Sequence, residues 1–379
     1  MDSEREEGII MKRLETYHKY DDSIHINFGG PPELFELQIG YALVDLVTKE
    51  ELSLKEEIQR WHKQIDAEYG LVLPRIHIRD NMCLEPNEYA ILFKGVELGK
   101  ATIFPGFYYC FDTGSVIPNG IDKSKYQKYV DPCFGLEGFR VEARKRLIFE
   151  KAGYVCVTPH RIISTHLCQI TQKNLTKILT QCMVNELTEK VRESNPEVFT
   201  DVFFKKQFSL SDMKILLNSL LEEHISIRDM NTIMETIADY LLEERNPLKL
   251  EEKVRVRLVY SFIKQYEDDN SVVHVVKISE SLSNLLYDNV YYPESKIEPP
   301  DISLEPEMRK KIVAKIAESI KEITDKGYPP VILCISSLRL PLKNFIRRLM
   351  PGVEVISDTE IMALKGETVI KLEGEVSLE

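Results

Sequence analysis

The sequence predicts a multidomain fold of mixed α+β and α/β character, built from several small modules. Three observations predict it. The chain has 379 residues, more than one ordinary hydrophobic core accommodates, so roughly two to four domains are expected. Short strand-like patterns occur near the start and again beyond Val272. Between them, from Pro159 to about Gln265, apolar residues fall at helical spacing.

Residues 1 to 30 carry an acidic start, a mixed segment with Tyr17, Tyr20, Ile24 and Ile26, and then Gly29-Gly30-Pro31-Pro32. They read as a linker or arm that gains order by packing on something else. From Phe35 to Val47 the pattern suggests a strand and a turn. Ser53 and Glu56 have the spacing of a capping box for a helix to about Glu68, with Ile58, Trp61 and Ile65 on one face. Leu71, Ile76 and Ile78 then form a strand ended by a polar turn at Arg79-Asp80-Asn81. In the next strand Tyr89, Ile91, Phe93 and Gly95 point one way, and Ala90, Leu92, Lys94 and Val96 the other.

From Thr102 to Tyr154 the texture changes. Phe104, Phe107, Tyr108 and Tyr109 precede a loop and the turn Asp131-Pro132-Cys133-Phe134-Gly135. A helix is expected over 141 to 152 and a strand over 154 to 157, and the block reads as an inserted subdomain. After Pro159 a long helix buries Ile162, Ile163, His166, Leu167 and Ile170, with Leu175, Ile178 and Leu179 continuing its apolar contacts. Ser209 with Asp212, and Ser226 with Asp229, suggest two further helix starts, the second helix beginning near Ile227. A fourth helix spans about 250 to 264. Finally, Val272–Ile278, a helix over 308 to 323, the buried run Val331–Ile335, a helix over 340 to 350 and a strand over 353 to 356 give the alternation of a layered α/β module.

Composition excludes several function classes. Hydrophobic content of 43% with 29% charged residues describes a soluble globular chain. No apolar run reaches the roughly 18 residues a membrane helix requires, and the start, MDSEREEG, lacks a leader pattern. The expectation is thus neither a membrane span nor a cleaved leader in the chain as given. A formal net charge of −12 opposes general nucleic-acid binding. Seven scattered cysteines without a CxxC suggest reduced, buried thiols.

No catalytic constellation emerges. Cys156, His160, His166 and Cys168 lack the paired spacing of structural zinc sites, and on a helix the two histidines lie about 600° apart. Glu222-Glu223 and Glu243-Glu244 read as solvated helix ends, and Ser336-Ser337 as caps of the following helix. Neither GxSxG, GxGxxG nor GxxxxGK[ST] is present. No catalytic residue, cofactor or metal is expected. The turn at Asp131 to Gly135 is the most suggestive surface: Phe134 could anchor a partner, or simply plug its own module's core.

LVLPRIHIRDN (71 to 81), NEYAILFKGVELG (87 to 99), VDPCFGL (130 to 136), AGYVCVTPHRIISTHL (152 to 167), HISIRDMNTIMETIADY (224 to 240) and YPPVILCISSLRLPL (328 to 342) form an ordered series. The chain that carries them resembles the cytoplasmic domain of the type III secretion export gate family (FlhA/SctV-like), shared by flagellar and injectisome systems. An injectisome member is expected. The resemblance implies a linker at 1–30, a discontinuous subdomain at 31–103 and 156–180, an inserted subdomain at 104–155, a helical one at 181–267 and an α/β one at 268–379. It implies a ring of nine weakly associating copies at the cytoplasmic face of the bacterial inner membrane, attached through a membrane half outside this sequence. Implied partners are chaperone–substrate complexes, the stalk protein of the ATPase and gatekeeper or switch proteins. Carried onto this sequence, its docking residues are Asp131, Phe134 and Thr165. Two rival readings stand beside it: an enzyme with an unrecognised pocket, and a purely architectural ring subunit.

Overall fold

Phe35, Leu37 and Ile39 are buried on strand β1 (Phe35–Ile39), the strand that the first sheet is built on. In the computed structural model, residues 33–48, 54–116, 121–366 and 368–378 are described. The arm at 1–30 and Ser53 lie outside them. The chain divides into two compact units at Ile178/Leu179.

In the first unit β1 pairs in parallel with β2 (His77–Asp80) and antiparallel with β3 (Glu88–Phe93), which pairs with β4 (Val96–Thr102). Helix α1 (Leu54–Tyr69) buries Ile58, Trp61 and Ile65, as its spacing predicts. The Phe35 and Trp61 rings meet edge to face at 5.8 Å. Two expectations need correction. The strand expected from Leu71 begins only at His77, because Gly70 (φ 76°) ends the helix and Pro74 offers no ladder donor. Arg79 and Asp80 are therefore strand residues. The strand expected to run through Val96 instead turns at Lys94 (φ 50°) and Gly95 (φ 79°), a two-residue hairpin whose positive φ angles match strand twist.

A second four-stranded sheet, in the order β6-β7-β5-β8, is made of β5 (Phe107–Phe111), β6 (Gln127–Val130), β7 (Glu137–Glu142) and β8 (Val155–Val157). The helix expected from 141 is shorter, α2 (Arg146–Lys151), because Val141 is committed to the ladder opposite Tyr108. Cys110 and Cys156 face each other across β5 and β8 and form a disulfide. This overturns the expectation of seven reduced thiols: directly opposed strand positions bring together cysteines 46 residues apart, which no local spacing reveals. Cys83, Cys133, Cys168, Cys182 and Cys334 are free. Helix α3 (Pro159–Lys173) is capped by Thr158, whose side chain accepts from the Arg161 amide. Ile162, Ile163, His166, Leu167 and Ile170 are buried, and Asn174 ends the helix before a separate turn at Leu175–Ile178.

The second unit starts helical, with α4 (Gln181–Ser194), α5 (Leu210–Glu222), α6 (Met230–Tyr240) and α7 (Pro247–Phe262). Ser209 caps α5, as expected, accepting from the Asp212 amide at 3.0 Å. Ser226 does not cap α6. Asp229 does, accepting from the Thr232 amide at 3.0 Å, so the helix begins at Met230 and Ile227 is buried in the connection before it. Beyond lie β9 (Val272–Ile278), α8 (Glu280–Asp288), the two-residue strands β10 (Val290–Tyr291) and β11 (Asp301–Ile302), α9 (Pro306–Thr324), β12 (Val331–Cys334), α10 (Ser336–Arg347), β13 (Glu354–Ser357), α11 (Asp358–Ala363) and β14 (Val369–Val376). The order β13-β12-β9-β14 is parallel throughout, and helices cover its apolar strands as parallel sheets require. Ser336 and Ser337 are helical residues rather than caps; Asp358 accepts from the Ser336 amide at 2.9 Å.

Candidate functional site

The turn that follows β6 is over-determined by short bonds. Asp131 is 8% exposed, and its Oδ2 accepts from the amides of Cys133 (3.1 Å) and Phe134 (2.7 Å). Its backbone closes the loop, donating to the Leu136 carbonyl at 2.9 Å and accepting from Gly135 at 3.0 Å. Gly135 has φ +66°, a conformation that costs glycine least. From α3, Gln169 Nε2 donates to the Cys133 carbonyl at 2.6 Å. Phe134, thus held at its backbone, leaves 65% of its surface exposed.

Its ring borders a depression of about 260 Å³, walled by α1 with Glu57 and Trp61 and by α3 with Arg161, Thr165 and Gln169. Of the three residues singled out in the sequence, Phe134 and Thr165 meet here; Asp131 does not line the depression but shapes the turn that aims Phe134. Phe134 is no core plug. Sequence reasoning missed Trp61, Arg161 and Gln169 as site residues. Gln169 stands four residues after Thr165, one helical turn along the same face, the one local signal that could have found it.

The chemistry of this depression is that of contact. His166, next to Thr165, turns away: its Nδ1 lies 2.9 Å from Tyr89 Oη, and a Cβ on Gly99 would stand 2.6 Å from its Nε2. Burial lowers its pKa, which keeps it neutral. Burial, helped by the Asp131 charge, pushes the Cys133 thiol up to about 12, far from a nucleophile's range. Among the described residues no three His, Cys, Asp or Glu side chains are grouped to hold a metal.

A second polar constellation lies in the other unit, and it corrects the reading of Glu222-Glu223. Glu222 is exposed and pairs with Arg347 at 2.8 Å, but Glu223 is 6% exposed. Arg255 and Arg339, both 0% exposed, converge on it. Arg255 donates to Glu223 (2.8 Å), Glu354 (3.1 Å) and Glu360 (2.9 Å). Arg339 donates to both oxygens of Glu223 (3.1 and 2.8 Å) and to Glu252 (2.7 Å). Burial alone would raise the Glu223 pKa, yet the two guanidiniums hold it at about 2. Glu251, fully buried on α7, has no hydrogen-bond partner for either oxygen among the described residues. Burial and the neighbouring Glu252 push its pKa well up. The cluster joins α7 to β13, α10 and α11, so its role is to fasten the helical and the α/β parts of this unit.

Comparison with known proteins follows the same lines. Residues 16–365 match the FHIPEP family. Over 335 residues the chain is 32% identical to the flagellar biosynthesis protein FlhA of Borreliella burgdorferi, covering 87% of this chain and 46% of that protein; it spans about half the length of the curated relatives it matches. The Chlamydia pneumoniae CdsV protein, solved in complex with CdsO, superposes with a TM-score of 0.77 at 22% identity over 93% of this chain and 100% of that one. The nonameric EPEC SctV-C structure gives a TM-score of 0.71 at 19% identity, covering 92% and 100%. At those identities the shared property is the fold. Curated relatives carry flagellar names while these solved neighbours do not, so the match shows the family and does not assign the chain to either branch.

Proposed function

The chain belongs to the FHIPEP family, and from that premise we propose that it is the ring-forming receptor module of a type III secretion export gate. It works at the cytoplasmic face of the inner membrane, below a membrane half that accounts for the remaining length of its relatives. Nine copies close a ring through heterologous contacts, as supported by the nonameric EPEC SctV-C relative. The ring receives chaperone–substrate complexes, meets the ATPase stalk, a reading supported by the CdsV and CdsO complex, and answers to gatekeeper or switch proteins. It makes and breaks no covalent bond in its clients. Four modules divide the labour: 31–103 with 156–180, the inserted 104–155, the helical 181–267 and the α/β 268–379.

The observation that carries the docking assignment is Phe134, a large apolar ring left exposed on a turn fixed from both sides. An exposed, pre-ordered aromatic loses little entropy on binding and gains its full apolar burial. The test measures affinity for the chaperone–substrate complexes encoded beside this chain. Phe134→Ala is expected to reduce it by at least about tenfold with an unchanged unfolding curve. Wild-type affinity in that variant would remove docking from this depression and leave the purely architectural subunit as the better reading. Sedimentation across concentration is expected to give a monomer when dilute, with larger species as concentration rises; a two-fold dimer at every concentration would sink the ring.

A further inference from the structure

Two side chains lining the depression beside Phe134, Trp61 and Arg161, carry donors without a close acceptor among the described residues. Trp61 lines it, is 2% exposed, and its Nε1–H has no acceptor among the described residues. Arg161, on the α3 wall, carries five N–H donors on a side chain 56% exposed. Among the described residues those donors find one long bond, from Nη1 to Glu57 Oε2 at 3.4 Å. Glu57 is already engaged: it accepts from Arg60 and, at 3.4 Å, from Ser164 Oγ. Two guanidiniums share one carboxylate at the lip of a concavity.

The placement of Arg161 is telling for a second reason. It stands in the first turn of α3, two residues beyond Pro159, where no acidic residue is present. The helix dipole favours an anion there and opposes a cation. Helix stability does not explain an arginine at this position. A cation with spare donors beside an apolar ring is complementary to acid, a local exception to the chain's net charge of −12.

We propose that the docked partner presents an acidic amphipathic helix, with one apolar side chain seated against Phe134 and Thr165 and a carboxylate, within one turn of it, that takes Arg161 from Glu57. Arg161 is then the residue that reads the partner's acid, and Glu57 is its internal competitor. This rests on the reading of the depression as the docking site. The exchange is easy because the bond is long, 3.4 Å, and Arg161 is half in water. It replaces one bond by a better one, and it excludes helices that bring a lysine to the same place.

The two members of the Arg161–Glu57 pair have opposite expected effects, which a structural pair would not. The probe is the chaperone–substrate complex that binds the wild-type chain, measured by calorimetry at low and high salt. Arg161→Gln is expected to weaken binding roughly fivefold at low salt and to flatten the salt dependence. Arg161→Glu should weaken it further, and Arg161→Lys should recover part of the loss. Glu57→Gln frees Arg161 and is expected to tighten binding about twofold. Thermal unfolding controls for folding: Arg161 is exposed, where substitutions are tolerated, and Glu57→Gln keeps the shape of a side chain that is 12% exposed. If Arg161→Gln binds as wild type, or if Arg161→Gln and Glu57→Gln weaken binding alike, the acid reading is overturned. Loss of binding in Phe134→Ala beside an intact Arg161→Gln refutes this inference alone. Full binding in Phe134→Ala refutes the docking site, and the inference with it.

Discussion

Arg161 and Arg339 are the same residue type in opposite circumstances. Arg161 lies half-exposed at the edge of a depression with one bond of 3.4 Å, whereas Arg339 is 0% exposed with bonds of 2.7 to 3.1 Å to Glu252 and Glu223. A guanidinium in water's reach can change partners at little cost, because solvent stands in for whichever carboxylate leaves. A desolvated one cannot, since losing its partner leaves a bare charge in a medium that does not solvate it. Arg161 is therefore placed where a partner can be exchanged, and Arg339 where it cannot.

Removing the charges separates these two cases most strongly. Arg339→Ala strands Glu252 and leaves Glu223 with Arg255 alone, and is expected to destabilise the second unit by about 3–5 kcal/mol, read as a shift of its urea midpoint. Arg161→Ala should move the first unit's midpoint by less than about 0.5 kcal/mol; equal losses would erase the distinction. Next in size is Asp131→Ala, which takes the acceptor from two amides of the Phe134 turn. A stability loss of about 1–2 kcal/mol is expected, together with weaker partner binding by calorimetry. Gln169→Ala should cost about 1 kcal/mol or less and weaken binding only while Phe134 is present. In a double-mutant cycle with Phe134→Ala its effect on binding should disappear; additive losses would show that Gln169 touches the partner directly.

The effect of Glu251→Gln is set by pH rather than by a lost bond. The Glu251 pKa is raised in the folded chain, so its contribution is present below the ordinary value of 4.5 and is lost as pH rises toward the folded value. Glu223 runs the other way: its stabilisation is present above 4.5 and is lost as pH falls toward about 2. Glu251→Gln should therefore match wild type in acid and gain on it with rising pH, by at most about 1.4 kcal/mol per pH unit. A melting-temperature difference that stays constant as pH rises above the ordinary carboxyl value of 4.5 would mean that Glu251 is charged throughout.

Much of the fold was legible because periodicity reports burial directly: α1, α3, β9 and the buried strand β12 fall where their apolar spacing predicts. The hairpin at Lys94-Gly95 was not, because a single glycine signals a turn weakly and Lys94 gives no sign of adopting positive φ. The cap of α6 was misplaced because Ser226 and Asp229 both have capping side chains, and only the path of the chain decides between them. At the candidate site the resemblance supplied Asp131, Phe134 and Thr165, but it could not divide them into one residue that shapes the turn and two that face the depression. The Arg255 and Arg339 cluster was illegible for a plainer reason. Glu223 is far along the chain from Glu354 and Glu360, and adjacent acids in a helix end look solvated until another element covers one of them.

Strand β14 lies beside β9, with Val369 opposite Val272 and Val376 opposite Ile278. During synthesis the ribosome must add nearly the whole α/β module before β9 can receive this neighbour, which makes the pairing one of the chain's most non-local contacts and a slow one to form. Until then a nascent chain displays β9 as an open, apolar border to the cytosol, the kind of surface that recruits unwanted strands. Truncation before Val369 should thus produce inclusion bodies rather than a smaller soluble protein.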